Sequence, residues 1–400
     1  MANANYAHSL WSLVGRNIKH FMKRKALSHT NDRQLWKRPD NLLLTLTIML
    51  AFFGLFFIFE ASSSESFRLV GHQYHFLKQQ AISLSLGLGA LVGALILPST
   101  WWEKTAHWWL WLGFLLLVLV LVPSFGVELN GARRWFAIQD RVFQPVEFFK
   151  LSLILFYARW LTTTPKVTTF LLLTVVFSSL LLLQPDLGSL LILLAISLGL
   201  FFLAGGRLLA LAVISLAGGL LLFLLIISST YRSQRLLTYL NPDLDPLGSG
   251  FHVRQITLAL GSGGWFGVGI GNSQQKHAYI PEVSSDSIFA IIAEEVGFVG
   301  SMVIIGLLVI YLLTLYRIAI SLPTGSFAQL FVFGVHLWLT SQILLNLAAV
   351  VALVPLTGLP LPFFSSGGSS LITILFVVGL SARLFRENQV YLPLKRKKVQ

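Results

Sequence analysis

Ten apolar runs, each close to the length that crosses a lipid bilayer, limit how this chain can fold. They lie at roughly 41–59, 80–98, 106–124, 148–161, 167–183, 189–205, 208–228, 287–313, 327–352 and 367–382. About 20 apolar residues span the hydrocarbon core as a helix, and lipid offers no hydrogen-bond partner to an open backbone. Charged residues make up 11% of the chain, against about 25% in soluble proteins. The sequence therefore predicts an all-α polytopic membrane protein with about ten transmembrane helices.

Both ends of the chain are basic, and they predict its orientation. Residues 1–40 carry eight Lys or Arg, and the last 20 residues carry six. An even number of spans places both tails on one side, which the positive-inside rule identifies as the cytoplasm. Counting the loops alternately gives 19 Lys or Arg inside and 10 outside. We expect cytoplasmic tails over 1–40 and 386–400 around a transmembrane domain over 41–385, without a cleavable secretory signal.

Two long connections direct attention to the outer face. Residues 125–147 join the third and fourth spans, and residues 229–286 form a long extracytoplasmic loop between the seventh and eighth. Structureless loops of this length are uncommon unless they are functional. Inside the second loop, "FHVRQITLAL" predicts a short amphipathic segment, and 261–271 contains six glycines. These glycines lack the spacing of a nucleotide-binding loop, so we interpret them as backbone that approaches its neighbours closely.

The composition excludes several classes of function. Nearly half of the basic residues behind the net charge of +13 lie in the two tails, where orientation and anionic membrane lipids explain them. We therefore expect no nucleic acid partner. With no cysteine, the chain has no disulfide, thiolate metal site or cysteine nucleophile. Its histidines form no HExxH motif or other metal-ligand spacing.

Two clusters of charge flank the start of the fourth span, where charge is costly and points to function. Arg133 and Arg134 stand beside Trp135. They suit an anionic head group because guanidinium binds phosphate oxygens bidentately, and an interfacial anchor explains them equally well. Glu147 and Lys150 are three residues apart, so they share a helix face and can pair. They form either a structural ion pair or the wall of a polar cavity.

Further carboxylates lie at or near helix starts. Asp186, followed by Gly188 and Ser189, is typical of a tight turn and helix cap. Asp286 is predicted either to cap the eighth span or to serve as a base at the mouth of a membrane cavity. Glu294 lies about 12 Å further along the same helix. It is expected to make polar contacts with another span or to line a wet cavity.

Taken in order, these segments resemble the SEDS family (shape, elongation, division and sporulation). The resemblance covers residues from about 41 to 385. It rests on "NGARRW", "QPVEFFKL", "QPDLGS", the stretch from "GSGGWFGVGIGNS" to "IAEEVGFVGS", and "LPLPFFSSGGSSL". It implies a peptidoglycan glycosyltransferase of the FtsW/RodA type that polymerises lipid II outside the bacterial cytoplasmic membrane. The long basic N-terminal tail and the last motif favour the division type, FtsW, and hence septal cell-wall synthesis.

The resemblance also assigns roles to residues. Asp286 matches the aspartate that the family treats as essential, and it becomes the expected catalytic residue. Glu147 and Lys150 match an acid and a lysine that line the central cavity. The expected substrate-binding residues are Arg133, Arg134, Glu147, Lys150, Asp186, Ser365 and Ser366.

The sequence departs from the family pattern at two places. The usual P-E-A-H-T-D-F is "PEVSSDS" at 281–287, so serines replace the histidine, threonine and phenylalanine. The usual S-Y-G-G is "SSGG" at 365–368, without the tyrosine. The expected base is kept, whereas no role for that histidine or tyrosine transfers to this chain.

The implied reaction joins a sugar 4-hydroxyl to the anomeric carbon of another sugar and expels a lipid pyrophosphate. A carboxylate that takes the hydroxyl proton contributes about 10²–10⁴-fold, and cations stabilise the leaving group. Asp286 is expected to supply the carboxylate, and Arg133, Arg134 and Lys150 the positive charge. A divalent cation, Mg²⁺ or Mn²⁺, is compatible with the pyrophosphate, although the sequence assigns it no ligands.

The resemblance implies protein partners as well. A class B penicillin-binding protein, a transpeptidase, is expected to crosslink the new strands, and other divisome membrane proteins are expected nearby. Three alternatives stay open: a lipid II flippase, a RodA-like elongation polymerase and a non-enzymatic divisome scaffold. Glu294 and Glu295 favour the flippase because membrane carboxylates suit a proton-coupled carrier.

Overall fold

The computed structural model describes residues 38–129, 131–138, 141–163, 166–207, 211–213, 216, 218–219, 227, 238–241, 249–276 and 285–397. The elements, in chain order, are α1 (Pro39–Val70), α2 (His75–Ile96), α3 (Ser99–Leu119), β1 (Gly126–Leu129), β2 (Ala132–Ile138), β3 (Arg141–Phe143), α4 (Pro145–Trp160), α5 (Val167–Leu183), α6 (Leu187–Leu203), α7 (Ser249–Ser262), α8 (Ile288–Ile320), α9 (Phe327–Val350) and α10 (Gly368–Lys397). Most of the predicted span at 208–228 lies outside the described residues, as do residues 229–237, 242–248 and 277–284 of the predicted loop at 229–286.

The described part of the chain is a multi-pass helical membrane protein. Five helices, α1, α2, α8, α9 and α10, are long and apolar enough to cross a bilayer, and α5 and α6 are shorter apolar helices. Three helices run past their predicted ends: α1 continues to Val70, α8 continues to Ile320, and α10 continues to Lys397 inside the predicted C-terminal tail. The apolar length of a helix indicates where it leaves the lipid, but the helix itself can continue further. Helix α1 ends only where Gly71 adopts a left-handed cap with φ 79°.

Helices α4 and α9 form the centre of the bundle. Helix α9 packs against α4, α6, α8 and α10, while α4 also packs against α3 and α10. Trp338, Tyr157 and Phe149 are fully buried in this core. A Cβ atom at Gly368 would overlap the hydroxyl of Ser83. The small residue at Gly368 therefore lets the start of α10 lie close to α2.

A three-stranded antiparallel sheet, in the order β1-β2-β3, joins α3 to α4. The sequence analysis predicted only a long connection in this region. The rings of Phe136 and Phe143 on neighbouring strands stack with centroids 6.4 Å apart. Because successive residues of a strand point to opposite faces, β2 sends Arg133 and Arg134 in different directions.

Several connections meet at one end of the bundle, which we call the sheet end. It is formed by residues 126–129, 131–138, 141–143, 184–186, 285–287 and 351–367. Hydrogen bonds described below join β2 to 184–186, and Asn346 of α9 to both 285–287 and 351–367. The opposite end is held by charge: Arg386 Nε lies 2.6 Å from Asp40 Oδ2, and Arg383 Nε lies 2.7 Å from Glu387 Oε1. Polar chemistry is therefore present at both ends, while the middle is an apolar core.

Candidate active site

Asp286 lies at the sheet end, in the short segment that enters α8. Its side chain is partly buried, and its Oδ1 is 3.4 Å from Ser285 Oγ and 3.3 Å from Ser287 Oγ. The prediction that Asp286 is the N-cap of this helix is wrong by one residue, because the helix begins at Ile288 and Ser287 takes the cap position. Glu282, four residues earlier, lies outside the described residues.

Glu147 and Lys150 form a buried ion pair at the start of α4. Pro145 occupies the first turn of this helix, where its missing N–H costs nothing. Lys150 Nζ lies 2.7 Å from Glu147 Oε1, and each side chain is 1% exposed. The predicted pairing is confirmed. The second carboxylate oxygen, Glu147 Oε2, is buried and has no hydrogen-bond partner among the described residues.

A column of polar side chains on α9 continues from this pair. Trp338, Gln342 and Asn346 recur every four residues, so they share one face of the helix. Gln342 Oε1 accepts from Lys150 Nζ at 3.0 Å and from Trp338 Nε1 at 2.7 Å. Lys150 Nζ also lies 4.8 Å from the centroid of the Trp338 ring, within cation–π range.

The same column reaches Asp286. Gln342 Nε2 donates to the carbonyl of Pro360 at 2.8 Å. Asn346 Nδ2 donates to the carbonyls of Leu359 at 2.7 Å and Asp286 at 2.9 Å. A continuous polar path therefore links the buried ion pair to the backbone of Asp286. The sequence analysis missed both amides, although two amides four residues apart in an apolar helix are a signal for a buried polar site.

Arg134 and Asp186 brace the connection between α5 and α6. Arg134 Nε donates to the Gln184 carbonyl at 2.8 Å, and its guanidinium also donates to the Pro185 carbonyl. Its Nη1 lies 3.9 Å from Asp186 Oδ1. Asp186 caps α6 by accepting from the Ser189 amide at 3.0 Å. The cap interpretation of Asp186 is confirmed, and Arg134 binds backbone carbonyls.

Arg133 lies on the other face of β2, where its Nη2 pairs with Glu128 Oε2 at 3.2 Å. Its Nε is buried and has no partner among the described residues. The two arginines therefore do not form one cationic pair, since the strand separates them. Arg133 keeps an unsatisfied donor, and its predicted role in binding substrate stays a prediction.

Ser365 and Ser366 belong to the turn that leads into α10. Ser365 is buried, and its Oγ accepts from the Leu361 amide at 2.8 Å. Ser366 is partly buried. Phe363 in the same turn has a φ of 71°, which is unusual for a bulky residue. Ser365 therefore stabilises a strained turn beside Leu359 and Pro360, and contact of either serine with substrate stays a prediction.

The carboxylates deeper in α8 hold the end of the long loop. Glu294 Oε2 accepts from the Ser273 hydroxyl. Glu295 Oε1 lies 3.2 Å from Lys276 Nζ, which is also 3.7 Å from Glu60 Oε2 of α1. These partners differ from the expected ones, because the loop itself folds back onto α8. Glu294 thus makes a polar contact as expected, but with the loop and not with another span.

The glycine-rich segment lies directly against the backbone of α8. Gly297 has φ 69° and ψ −171° and kinks the helix. The freed carbonyls of Glu294 and Glu295 accept from Val268 and Gly269 amides at 3.0 Å and 3.1 Å. A Cβ atom at Gly267 would overlap the Glu295 carbonyl. The prediction that these glycines permit close backbone approach is confirmed.

Among the residues described, no three His, Asp or Glu side chains converge to hold a metal ion. The protein therefore offers no multi-ligand site for the predicted Mg²⁺ or Mn²⁺ in this part of the chain. No step of the mechanism below depends on a metal.

The comparison with protein families identifies this arrangement. The FtsW/RodA/SpoVE model, described as a cell cycle protein, matches residues 40–390. The chain belongs to the FtsW/RodA/SpoVE family. The match begins at the second residue of α1, covers α2 to α9 and includes most of α10. It confirms the resemblance that the motifs indicated.

Individual relatives in the FtsW/RodA/SpoVE family are similar over most of their length. A probable peptidoglycan glycosyltransferase FtsW of Thioalkalivibrio sp. (strain K90mix) is 40% identical, covering 88% of this chain and 90% of the relative. Stage V sporulation protein E of Bacillus subtilis is 36% identical, covering 87% and 97%.

Two solved structures are similar to this chain over most of its length. A chain of a peptidoglycan synthase complex that coordinates polymerization and crosslinking superposes with a TM-score of 0.73 and 32% identity, covering 86% of this chain and 97% of that one. The rod shape determining protein RodA of Thermus thermophilus gives a TM-score of 0.64 and 31% identity, covering 86% and 96%. The helical membrane fold is therefore the fold of this family.

Proposed function

We propose that this protein is a peptidoglycan glycosyltransferase that polymerises lipid II at the outer face of the bacterial cytoplasmic membrane. Lipid II is a disaccharide-pentapeptide carried on undecaprenyl pyrophosphate. Relatives named FtsW that are 40% and 36% identical support this activity. Their names also support the division role, septal cell-wall synthesis, over elongation.

The observation that carries the mechanism is the polar path from Glu147 and Lys150 to Asp286. It holds the backbone of Asp286, whose side chain is partly buried, at the same end of the bundle as the buried ammonium of Lys150. Asp286 accepts the proton of the acceptor 4-hydroxyl as that oxygen attacks the anomeric carbon. The glycosidic bond to the pyrophosphate breaks, and the leaving oxygen takes the electron pair. Lys150 supplies positive charge for the anion that develops, which is the kind of preorganised electrostatics that lowers such barriers.

The other predicted substrate residues divide into two groups. Arg133, with its unsatisfied buried Nε, is the second cation available to a phosphate oxygen. Arg134 and Asp186 instead shape the floor of the site by fixing the connection at 184–186. A divalent cation bound mainly by the substrate's own phosphates would add Lewis-acid charge there.

The flippase is the second candidate, and it depended on Glu294 and Glu295 as free carriers of protons. Both carboxylates bind residues of the loop, at Ser273 and Lys276. A structural role thus accounts for the feature that favoured a carrier. The general-base position of Asp286 supports the transferase.

A similarity to a solved structure also supports a transpeptidase partner. A solved neighbour belongs to a complex described as coordinating polymerization and crosslinking. We propose that this chain likewise pairs with a class B penicillin-binding protein, among other divisome membrane proteins, with both termini in the cytoplasm. New strands would then be crosslinked where they are made.

The test of the proposed function is Asp286→Asn in the purified full-length protein with labelled lipid II. The substitution keeps the shape of the side chain and removes the proton acceptor. We expect glycan-strand formation to fall by about 10²–10⁴-fold with no change in thermal unfolding.

The matched control is Glu103→Gln, which removes a carboxylate that pairs with exposed Arg159 at the opposite end of the bundle. We expect wild-type polymerisation from this variant, because exposed ion pairs contribute little. Wild-type activity from Asp286→Asn would remove Asp286 as the base, whereas a wild-type protein that forms no glycan strands would favour the flippase.

A further inference from the structure

An imidazole lies next to the segment that carries Asp286. His252 belongs to α7, Ser249–Ser262, which packs against α8. Its Nε2 lies 2.8 Å from Ser287 Oγ. His252 is partly buried and Ser287 is fully buried, so the contact is sheltered from solvent. The sequence places His252 in the predicted amphipathic segment "FHVRQITLAL" without indicating a role for it.

The hydroxyl of Ser287 connects His252 to Asp286. Its Oγ is 2.8 Å from the imidazole and 3.3 Å from Asp286 Oδ1. A hydroxyl offers one donor and two acceptor lone pairs, so it can donate to one neighbour while it accepts from the other. While Asp286 is ionised, the single proton of Ser287 is donated either to its carboxylate or to His252 Nε2. Once Asp286 is protonated, it can donate to Ser287 Oγ while Ser287 donates to Nε2, and the three groups then form a series of hydrogen bonds that can pass a proton along it.

Position 287 is one of the places where this chain departs from the family pattern. Where "PEVSSDS" ends, the family pattern carries phenylalanine in place of Ser287, so an aromatic side chain has been exchanged for a hydroxyl. A buried hydroxyl at the start of an apolar helix needs a partner. His252 supplies that partner and, in addition, a base.

We propose that His252 is a positioning residue for lipid II polymerisation that acts on Asp286 through the hydroxyl of Ser287. This proposal rests on the proposed function. The acceptor 4-hydroxyl gives its proton to the Asp286 carboxylate. Asp286 passes that proton to Ser287 Oγ while the proton already on Ser287 moves to His252 Nε2. Asp286 is again a carboxylate, Ser287 is unchanged, and the imidazolium of His252 releases one proton to water.

The direction of transfer follows from basicity and charge. Imidazole is a stronger base than a carboxylate, so the proton moves away from Asp286 and the base is restored for the next sugar. The tautomer required is the one in which Nε2 carries no proton. Among the described residues, the charged side chains near this contact include Asp286, beside Ser287, and exposed Arg254, two residues from His252 along α7. Deeper in α8, Glu294 and Glu295 are bound by residues of the loop.

The first arm of the experiment measures the rate of lipid II polymerisation against pH for purified full-length variants. Wild type should lose activity as the pH falls from about 8 to about 5, the range in which histidine becomes charged. His252→Gln keeps a hydrogen-bonding group but cannot titrate. This variant should polymerise lipid II roughly tenfold more slowly at neutral pH, a smaller decrease than removal of the base Asp286 causes. Its pH profile should lack the loss of activity between about pH 8 and about pH 5.

Two variants of the bridging residue complete this arm. Ser287→Ala breaks the series and should behave like His252→Gln. Ser287→Thr keeps the hydroxyl and should keep both the wild-type rate and the loss of activity at low pH that we assign to His252. A merely structural contact predicts a change in stability without a change in the shape of the pH profile. An unchanged profile in well-folded His252→Gln therefore overturns the proposal.

The second arm does not depend on activity. The titration of His252 is followed by NMR in protein labelled at histidine, and its signal is identified by its loss in His252→Gln. A nearby negative charge favours the protonated imidazole, so Asp286→Asn should shift the His252 titration midpoint to lower pH. An unshifted midpoint overturns the proposal. If the wild type fails to polymerise lipid II, the proposed function fails, while this titration still decides whether the two residues are coupled.

Discussion

At the scale of the residue, the buried pair of Glu147 and Lys150 is the most exacting feature of the site. Each side chain is 1% exposed, with Nζ and Oε1 2.7 Å apart, so neither charge is solvated by water. Removing one partner leaves the other uncompensated, which costs about 3–5 kcal/mol. We expect Lys150→Met to lower the unfolding temperature clearly and to abolish polymerisation. Thermal unfolding in detergent, alongside a lipid II assay, measures both effects.

The double variant Glu147→Gln/Lys150→Met separates stability from chemistry. It removes both charges and should recover most of the lost stability, because a neutral pair leaves no buried charge. Polymerisation should stay lost, since no ammonium remains to stabilise the pyrophosphate. The control is Arg383→Met/Glu387→Gln, an ion pair of comparable length at the opposite end. Full activity in the Glu147→Gln/Lys150→Met protein would show that the pair has only a structural role.

At the scale of the element, the glycine-rich segment depends on how α8 is built. The kink at Gly297 frees two carbonyls, and Val268 and Gly269 donate to them at 3.0 Å and 3.1 Å. Gly267 has φ 81° and lies against the Glu295 carbonyl. Gly267→Ala should therefore separate the segment from α8 and destabilise the protein by about 1–3 kcal/mol. Hydrogen exchange at the Val268 and Gly269 amides should become faster.

Gly261→Ala is the matched control for this prediction. Gly261 lies in α7 and has open space where a Cβ atom would be added, and alanine favours helix more than glycine does. It should leave the exchange of both amides unchanged and should not lower the unfolding temperature. Equal exchange rates in the Gly267→Ala and wild-type proteins would mean that the segment does not need this close approach.

At the scale of the whole molecule, the sequence predicts what the bilayer and the helix period determine. Long apolar runs must be helices in lipid, and the spacing of Glu147 and Lys150 fixes their contact through the geometry of one helix. Contacts between distant segments follow no local rule. Arg134 binds carbonyls 50 and 51 residues away, and Asn346 binds the carbonyl of Asp286 60 residues away. Such pairings depend on how helices pack, which periodicity does not encode.

The orientation of the molecule gives the last prediction, and the absence of cysteine makes it simple to test. Val142 of β3 and Leu353 after α9 are exposed at the sheet end, while Thr162 after α4 and Thr324 after α8 are exposed at the opposite end. Each single substitution to cysteine introduces one thiol into an otherwise thiol-free chain. If the basic tails are cytoplasmic, the sheet end faces outward. A membrane-impermeant maleimide should then label Val142→Cys and Leu353→Cys in intact spheroplasts. Thr162→Cys and Thr324→Cys should react only after permeabilisation. The reverse pattern would place Asp286 on the cytoplasmic side, where it would meet no lipid II headgroup delivered to the outer leaflet.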